Sequence, residues 1–180
     1  MDALCAHAGI AGPNAAVEDI KIEDWQCCVS VNLEGAFLAA KYGGPILKAA
    51  HGSIVLTSST AGLYGFPNRA PYAAAKWGII GLMKTLAMEW GPEGVRANAI
   101  CPGAVEGPRM QGVMEREAAA KGTSYQHIYD GYAGGTSMRS LVTAEDVANM
   151  ALFLCSKGAR LVSGQVIAVD GHTENPDPKV

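Results

Sequence analysis

The segment Tyr72-Ala-Ala-Ala-Lys76 places a phenol and an ammonium group four residues apart. On a helix, side chains at this separation lie on the same face, so the two groups can meet. A phenol keeps its proton well above neutral pH unless a nearby cation stabilises the deprotonated form, and such a pair could serve as a general acid and base. The spacing alone is weak evidence, because a Tyr and a Lys in this arrangement are more often a solvated pair on a helix surface.

A hydroxyl group precedes this pair. Ser59 stands thirteen residues before Tyr72, directly after the apolar, β-branched segment that begins at Ser53. Parallel sheets carry their ligand-facing residues at the carboxyl ends of the strands, so we expect the hydroxyl, the phenol and the ammonium group to converge. For Ser59 taken by itself, an ordinary turn or helix cap is the commoner role.

The elements that must position these residues follow a regular order. Short apolar segments alternate with long amphipathic ones, which is typical of strands joined by crossover helices and indicates an α/β fold. We predict strands at 2–8, 53–57, 95–101 and 164–169, and helices at 22–50, 73–90 and from Thr143 onward. Gly43, Gly44 and Pro45 are expected to interrupt the first helix. Residues 102–140 are expected to form a long loop with one helical patch at 110–121.

Composition excludes several classes of function. A chain of 180 residues with 49% hydrophobic content fits one domain, and its formal charge of -3 without a basic stripe predicts no nucleic-acid partner. No apolar run approaches the roughly 20 residues of a membrane span, and Met1-Asp2 lacks the basic flank of a signal peptide. We therefore expect a cytoplasmic protein with no membrane partner. The histidines and cysteines lack metal-ligand spacing, so no metal site is predicted.

Three motifs, in this order and spacing, resemble those of the short-chain dehydrogenase/reductase family. They are Ser58-Ser59-Thr60-Ala61-Gly62, Tyr72-Ala-Ala-Ala-Lys76 and Asn98-Ala-Ile-Cys-Pro102-Gly103. Residues 25–37, WQCCVSVNLEGAF, are similar to the family helix that carries its catalytic Asn, here Asn32, and residues 162–171 are similar to its closing strand. The resemblance covers the chain from Asp2 to about Gly171. It implies a Rossmann-like, doubly wound parallel sheet.

This resemblance implies an NAD(P)-dependent oxidoreductase that interconverts a secondary alcohol and a ketone, with either NAD or NADP as cofactor. Tyr72 would be the acid/base, Lys76 would stabilise its phenolate and hold the nicotinamide ribose, Ser59 would bond to the substrate oxygen, and Asn32 would order a relay water. The positions implied for cofactor binding are Ala8, Gly9, Tyr72, Lys76, Pro102, Gly103 and Val105. Residues 102–110 resemble bacterial members described as 3-oxoacyl-carrier-protein reductase-like.

The sequence also departs from the family pattern. The family binds pyrophosphate at a Gly-rich turn after its first strand, but none of the 22 glycines here has another glycine two positions away. The first three strands of the family sheet have no counterpart, so we expect 1–174 to be the C-terminal catalytic portion of a single domain, with 102–140 as its substrate loop and 175–180 as a loose tail. The strand at 2–8 should then have an unpaired edge. His7 replaces a usual Asn that ties the central strands, and Gly107 replaces a frequent Thr.

Two further interpretations stay open. The chain could be a non-catalytic fragment that dimerises through the helices at 22–50 and 73–90, since family members form homodimers and homotetramers through four-helix interfaces. Alternatively, Met1 could be a misassigned start within a longer protein. If the protein is an enzyme, we expect its partner to be a small carbonyl or alcohol substrate. Met110, Met114 and Met138 of the substrate loop are candidates for apolar contact with that substrate.

Overall fold

A computed structural model of the chain describes residues 1–175, except for the side chain of residue 120. The predicted loose tail lies outside these residues apart from its first position. The strands and helices in chain order are β1 Ala3–Ala6, α1 Ile22–Val29, α2 Gly35–Ala50, β2 Ser53–Thr57, α3 Ala70–Trp90, β3 Arg96–Pro102, α4 Pro108–Lys121, α5 Tyr125–Gly134, α6 Ala144–Cys155 and β4 Val166–Val169. A π-helical turn, Ser30–Glu34, connects α1 to α2.

The four strands form one parallel sheet in the order β1-β2-β3-β4. In the register, Val55 of β2 lies between Cys5 of β1 and Asn98 of β3. The predicted α/β class and all four predicted strands are confirmed, and within residues 1–175 β1 pairs with a strand on one side only. Because all strands run in the same direction, the carboxyl ends of β1, β2 and β3, at Ala6, Thr57 and Pro102, lie side by side. These carboxyl ends form one edge of the sheet, distinct from the unpaired side of β1.

Helices cover both faces of the sheet, since successive strand residues point to opposite sides. On one face, Ile54 and Leu56 pack in a core with Met83 of α3 and Leu47 of α2. The opposite face packs on α6, whose buried Leu154 belongs to the smaller core formed by the alternate positions of β2 and β3. The two cores fix α2, α3 and α6 relative to the central strands.

Helix α3 is the element that carries Tyr72 and Lys76. It begins at Ala70 with Pro71 in its first turn, where a missing backbone N–H costs nothing, and it runs for 21 residues. Its buried side chains, Lys76 among them, face the sheet and α1. Among residues 1–175, neither α3 nor any other helix combines the length and the apolar character that a membrane crossing requires.

The predicted interruption at Gly43, Gly44 and Pro45 is wrong, because α2 continues through all three residues to Ala50. Gly44 is buried, and a Cβ at this position would lie 2.9 Å from the Trp90 ring, so glycine here permits close contact between α2 and α3. The irregularity of the long predicted helix lies instead in the π-helical turn before Gly35. Turns of this kind are frequent at functional sites.

The predicted long loop, 102–140, is largely helical. The expected patch is confirmed as α4, but α5 was not predicted. Ser124 caps α5 by accepting a hydrogen bond from the backbone N–H of His127, and Ile128 packs with Met114 and Leu141 in a separate small core. This segment is therefore a packed helical pair at the edge of the sheet where the proposed reactive residues lie.

Candidate active site

Tyr72 and Lys76 face each other one helical turn apart. The Nζ atom of Lys76 lies 5.5 Å from the centroid of the Tyr72 ring. Lys76 is only 4% exposed, and its Nζ donates a hydrogen bond of 3.0 Å to the backbone carbonyl of Thr57, the last residue of β2. The alternative of a solvated surface pair does not describe this lysine, because its ammonium group is buried and hydrogen-bonded to the backbone.

Burial, and after it the positive charge of Arg109 on α4, together lower the pKa of Lys76 from 10.5 to about 8. The neighbouring thiols of Cys101 and Cys28 act in the opposite direction. Desolvation and a like charge both disfavour the protonated amine, so these causes agree in sign. Lys76 therefore remains mainly cationic at neutral pH but titrates close to it.

Ser59 follows β2 and caps the short 3-10 turn after it. Its backbone is extended, and its Oγ accepts a hydrogen bond of 3.2 Å from the N–H of Ala61. The residue before it, Ser58, donates from Oγ to the backbone carbonyl of Lys76 at 2.8 Å. A Cβ at Gly62 would lie 2.4 Å from the Ser58 Oγ, so only glycine allows this turn to approach α3 so closely. Ser58 and Gly62 thus hold Ser59 beside α3, a role that the motif alone did not reveal.

Asn32 lies in the π-helical turn and is 1% exposed. Its Nδ2 donates to the backbone carbonyls of Ile10 at 3.0 Å and Cys28 at 2.8 Å. Its Oδ1 is buried and has no hydrogen-bond partner among residues 1–175. A Cβ on Gly9 would lie 2.6 Å from this Oδ1 and 3.5 Å from the Nζ of Lys76, so Asn32, Gly9 and Lys76 are neighbours. The orphaned oxygen is an open acceptor beside the buried ammonium group.

The remaining positions implied for cofactor binding lie at or after the ends of the two flanking strands: Ala8 and Gly9 follow β1, Pro102 is the last residue of β3, and Gly103 and Val105 follow it. Gly103 is packed against Asp170, and a Cβ there would lie 3.0 Å from the Asp170 Cβ. Val105 pairs with Val142 in an isolated parallel bridge. All of these residues share one edge of the sheet with Ser59, which is the edge where open α/β sheets bind ligands.

His7, which stands in place of the family's usual Asn, still connects β1 to the neighbouring strand. The Nδ1 atom of His7 lies 3.0 Å from the Oγ1 of Thr57, within hydrogen-bond distance. Thr57 is also the residue whose carbonyl receives the Lys76 ammonium group. The imidazole therefore ties the end of β1 to the strand residue that orients Lys76.

Gly107 occupies the position before α4 with a φ of 149°. A β-branched residue such as Thr is strained in this region, so the local backbone accounts for the absence of the frequent family Thr.

Beyond Gly107 opens a cleft of about 310 Å³ between α4 and α5. Its walls include Met110, Met114, Leu141, Tyr125, Tyr129 and Glu106. Met138, the third methionine of interest, is 73% exposed and does not line this cleft.

Known proteins resemble this chain over most of its length. A family profile described as Enoyl-(Acyl carrier protein) reductase matches residues 1–172. The chain is 37% identical over 171 residues to trans-4-hydroxycyclohexanecarboxylate dehydrogenase from Sinomonas cyclohexanicum, covering 95% of this chain and 60% of that protein. It is 38% identical over 172 residues to 3-oxoacyl-[acyl-carrier-protein] reductase FabG from Thermotoga maritima, covering 95% of this chain and 65% of that protein. The chain thus spans less than two thirds of these relatives.

Solved structures show the same fold. An NAD+-bound xylitol dehydrogenase superposes with a TM-score of 0.86 at 28% identity, covering 94% of this chain and 67% of that one. The structure of ElxO with NADP bound superposes with a TM-score of 0.83 at 29% identity, covering 94% of this chain and 66% of that one. The match over nearly the whole chain, together with the motifs and the sheet, shows that the protein belongs to the short-chain dehydrogenase/reductase family.

Proposed function

We propose that this protein is an NAD(P)-dependent oxidoreductase that interconverts a secondary alcohol and a ketone, with Tyr72 as its acid/base. The observation that carries the proposal is the buried ammonium group of Lys76 one turn from Tyr72, next to the orphaned Oδ1 of Asn32. The relatives support it, since they are named dehydrogenases and reductases, and so do the two solved structures that contain NAD+ and NADP.

The residues present fit the nicotinamide end of such a cofactor. Lys76 has three N–H donors, and Thr57 receives one of them, so two remain for hydroxyl groups such as those of a ribose. Ala8, Gly9, Pro102, Gly103 and Val105 would line the same edge of the sheet, where small residues let a ring approach the backbone. When bound, the nicotinamide supplies or accepts the hydride.

The proton is transferred by side chains of this protein. Tyr72 donates its phenolic proton to the oxygen of the substrate as negative charge develops there, and the Lys76 cation stabilises the phenolate that remains. The Ser59 Oγ accepts from Ala61, which leaves its own O–H free to donate to the same substrate oxygen. A water bonded to the Oδ1 of Asn32 would lie beside Lys76 and could return a proton toward Tyr72.

One observation favours a second candidate, a non-catalytic protein that acts through self-association. Large apolar side chains are exposed on α1, α2 and α3, namely Trp25, Phe37, Tyr42, Trp77 and Met88. Such a concentration on adjacent helices favours association between copies, and we propose a homodimer or homotetramer for the enzyme as well. Light scattering coupled to gel filtration measures this directly, and a monomer at micromolar concentration would remove the interface from both candidates.

The experiment that separates the two candidates is cofactor binding. NADH and NADPH are titrated into the 180-residue chain while nicotinamide fluorescence is followed, with circular dichroism on the same sample to show that it is folded. The enzymatic proposal predicts saturable binding of at least one cofactor, weakened by Gly9→Val, which would displace Asn32. A folded sample that binds neither cofactor supports the non-catalytic candidate instead. Alicyclic ketones are the first substrates to test, given the name of the Sinomonas relative.

A further inference from the structure

The cleft between α4 and α5 is lined from Glu106 onward, so it follows the proposed cofactor-binding positions in the chain. Tyr72, Ser59, Asn32 and Lys76 do not line the cleft, but its first lining residue, Glu106, stands three positions after Gly103. Arg109, between two lining residues on α4, is close enough for its charge to lower the pKa of Lys76. A molecule held at the proposed reactive residues could therefore extend into this space.

The cleft combines an apolar wall with the polar side chains of Glu106, Gln111, Tyr125 and Tyr129, and Glu106 is its one carboxylate. Met110, Met114 and Leu141 form its wall, and Met114 and Leu141 are buried in the small core beneath it. At the rim, the hydroxyl of Tyr129 donates to the Oε1 of Glu106 at 2.7 Å. This hydrogen bond is the largest cause that raises the pKa of Tyr129, so the phenol stays protonated and remains the donor. The Oε2 of Glu106 has no hydrogen-bond partner in the part of the chain that the structure describes.

We propose that this cleft binds the part of the substrate remote from its reacting carbon, and that it selects an uncharged, single-ring body whose second hydroxyl group donates to Glu106. This inference rests on the proposed function and names the substrate class of the same site. A volume of about 310 Å³ is at the small end of ligand pockets and suits a single ring with one substituent. The carboxylate accepts from a hydroxyl group and repels an acidic one.

The expected selectivity follows from the chemistry of a hydrogen bond to a charged acceptor. Such a bond typically changes affinity by about tenfold, and an apolar group facing the same carboxylate gains nothing from it. A ring with a second hydroxyl group should therefore bind about tenfold more tightly than the same ring without it. An acidic substituent at that position should bind more weakly than either, because it meets a like charge.

The chain offers a matched control for the test. Tyr132 of α5 donates to the Oε2 of Glu117 on α4 at 3.0 Å, so a second Tyr and Glu pair is present, but Glu117 does not line the cleft. The probes are trans-cyclohexane-1,4-diol, cyclohexanol and trans-4-hydroxycyclohexanecarboxylate. Each is titrated by calorimetry into the whole chain, with and without NADH or NADPH, for the unmodified protein, Glu106→Leu and Glu117→Leu.

We expect the diol to bind about tenfold more tightly than cyclohexanol, with this advantage lost in Glu106→Leu and kept in Glu117→Leu. The inference is overturned if the diol has no advantage, if the advantage survives in Glu106→Leu, or if the acid binds more tightly than the diol. The titrations with NADH and NADPH distinguish a failure of this inference from a failure of the proposed function. If neither dinucleotide binds while the diol retains its Glu106-dependent advantage, the proposed oxidoreductase activity fails and the selectivity of the cleft stands.

Discussion

Replacing Lys76 by Met should make the folded protein more stable at neutral pH while removing the cation that the proposed chemistry needs. Burial, and after it the charge of Arg109, lower the pKa of Lys76 from 10.5 to about 8, so folding disfavours the charged amine. A difference of about 2.5 between these values, at about 1.4 kcal/mol for each pKa unit, corresponds to a penalty of about 3.5 kcal/mol. Methionine has nearly the same length and carries no charge to desolvate.

A second effect acts in the opposite direction. The substitution removes the hydrogen bond from Nζ to the carbonyl of Thr57, which contributes about 1.5–3 kcal/mol for a charged donor. The net gain for Lys76→Met is therefore about 0.5–2 kcal/mol at pH 7, or about 1–8 °C in melting temperature for a chain of this size. A gain in stability with a loss of function is typical of a residue retained for chemistry.

The pH dependence of this gain has a defined sign. Below about pH 8 the amine is charged in both the folded and the unfolded chain, so the full penalty is present in the unmodified protein. Between about pH 8 and 10.5 the unfolded chain binds more protons than the folded one, so the stability of the unmodified protein rises with pH. The advantage of Lys76→Met should therefore be complete at pH 7 and fall steadily as pH rises through this range.

Urea unfolding followed by circular dichroism at pH 7, 8, 9 and 10 measures this difference. The control is Lys84→Met on the same helix, because Lys84 is exposed and also donates to a backbone carbonyl, that of Gly164, at 2.7 Å. We expect no pH-dependent gain from the control. A Lys76→Met protein that is less stable at pH 7, or whose difference from the unmodified protein does not change up to pH 10, would refute the reasoning.

Three other substitutions test particular contacts. Gly9→Ala places a Cβ 2.6 Å from the Oδ1 of Asn32 and should displace the hydrogen bonds of Asn32. We expect the free energy of unfolding in urea to fall by about 1–3 kcal/mol, and nicotinamide binding followed by fluorescence to weaken. Gly44→Ala meets the Trp90 ring at 2.9 Å and should cost about 1–3 kcal/mol by overpacking, measured in the same way. Thr143→Ala removes the N-cap of α6 and should cost about 1 kcal/mol, whereas an unchanged unfolding midpoint would show that this cap contributes nothing.

The parts of the fold that the sequence predicts correctly are those with strong local patterns. The apolar strand at 53–57 and the Thr143 cap of the last helix follow directly from residue type and spacing. Helix α5 does not, because Gly131 and Gly134 weaken its helical propensity and its formation depends on the packing of Ile128 against α4. The same holds for Gly44, whose tolerance within α2 depends on the Trp90 ring of another helix.

The candidate site likewise has some features that the sequence predicts and others that depend on tertiary packing. Tyr72 and Lys76 are one turn apart in the sequence, so their proximity could be predicted from helical geometry alone. The burial of Lys76 and the bond from its Nζ to Thr57 could not, since they depend on how α3 packs on β2. Glu106 and Tyr129 are 23 residues apart, and no local pattern relates them.

The central claim is that Tyr72 transfers the proton during hydride transfer to a ketone. Its most direct test is the rate of NADH or NADPH oxidation by an alicyclic ketone, compared between the unmodified protein and Tyr72→Phe, with cofactor affinity measured on both. The account predicts a rate at least about a hundredfold lower in Tyr72→Phe with unchanged cofactor affinity, because only the proton donor is removed. Equal rates in the two proteins would contradict it.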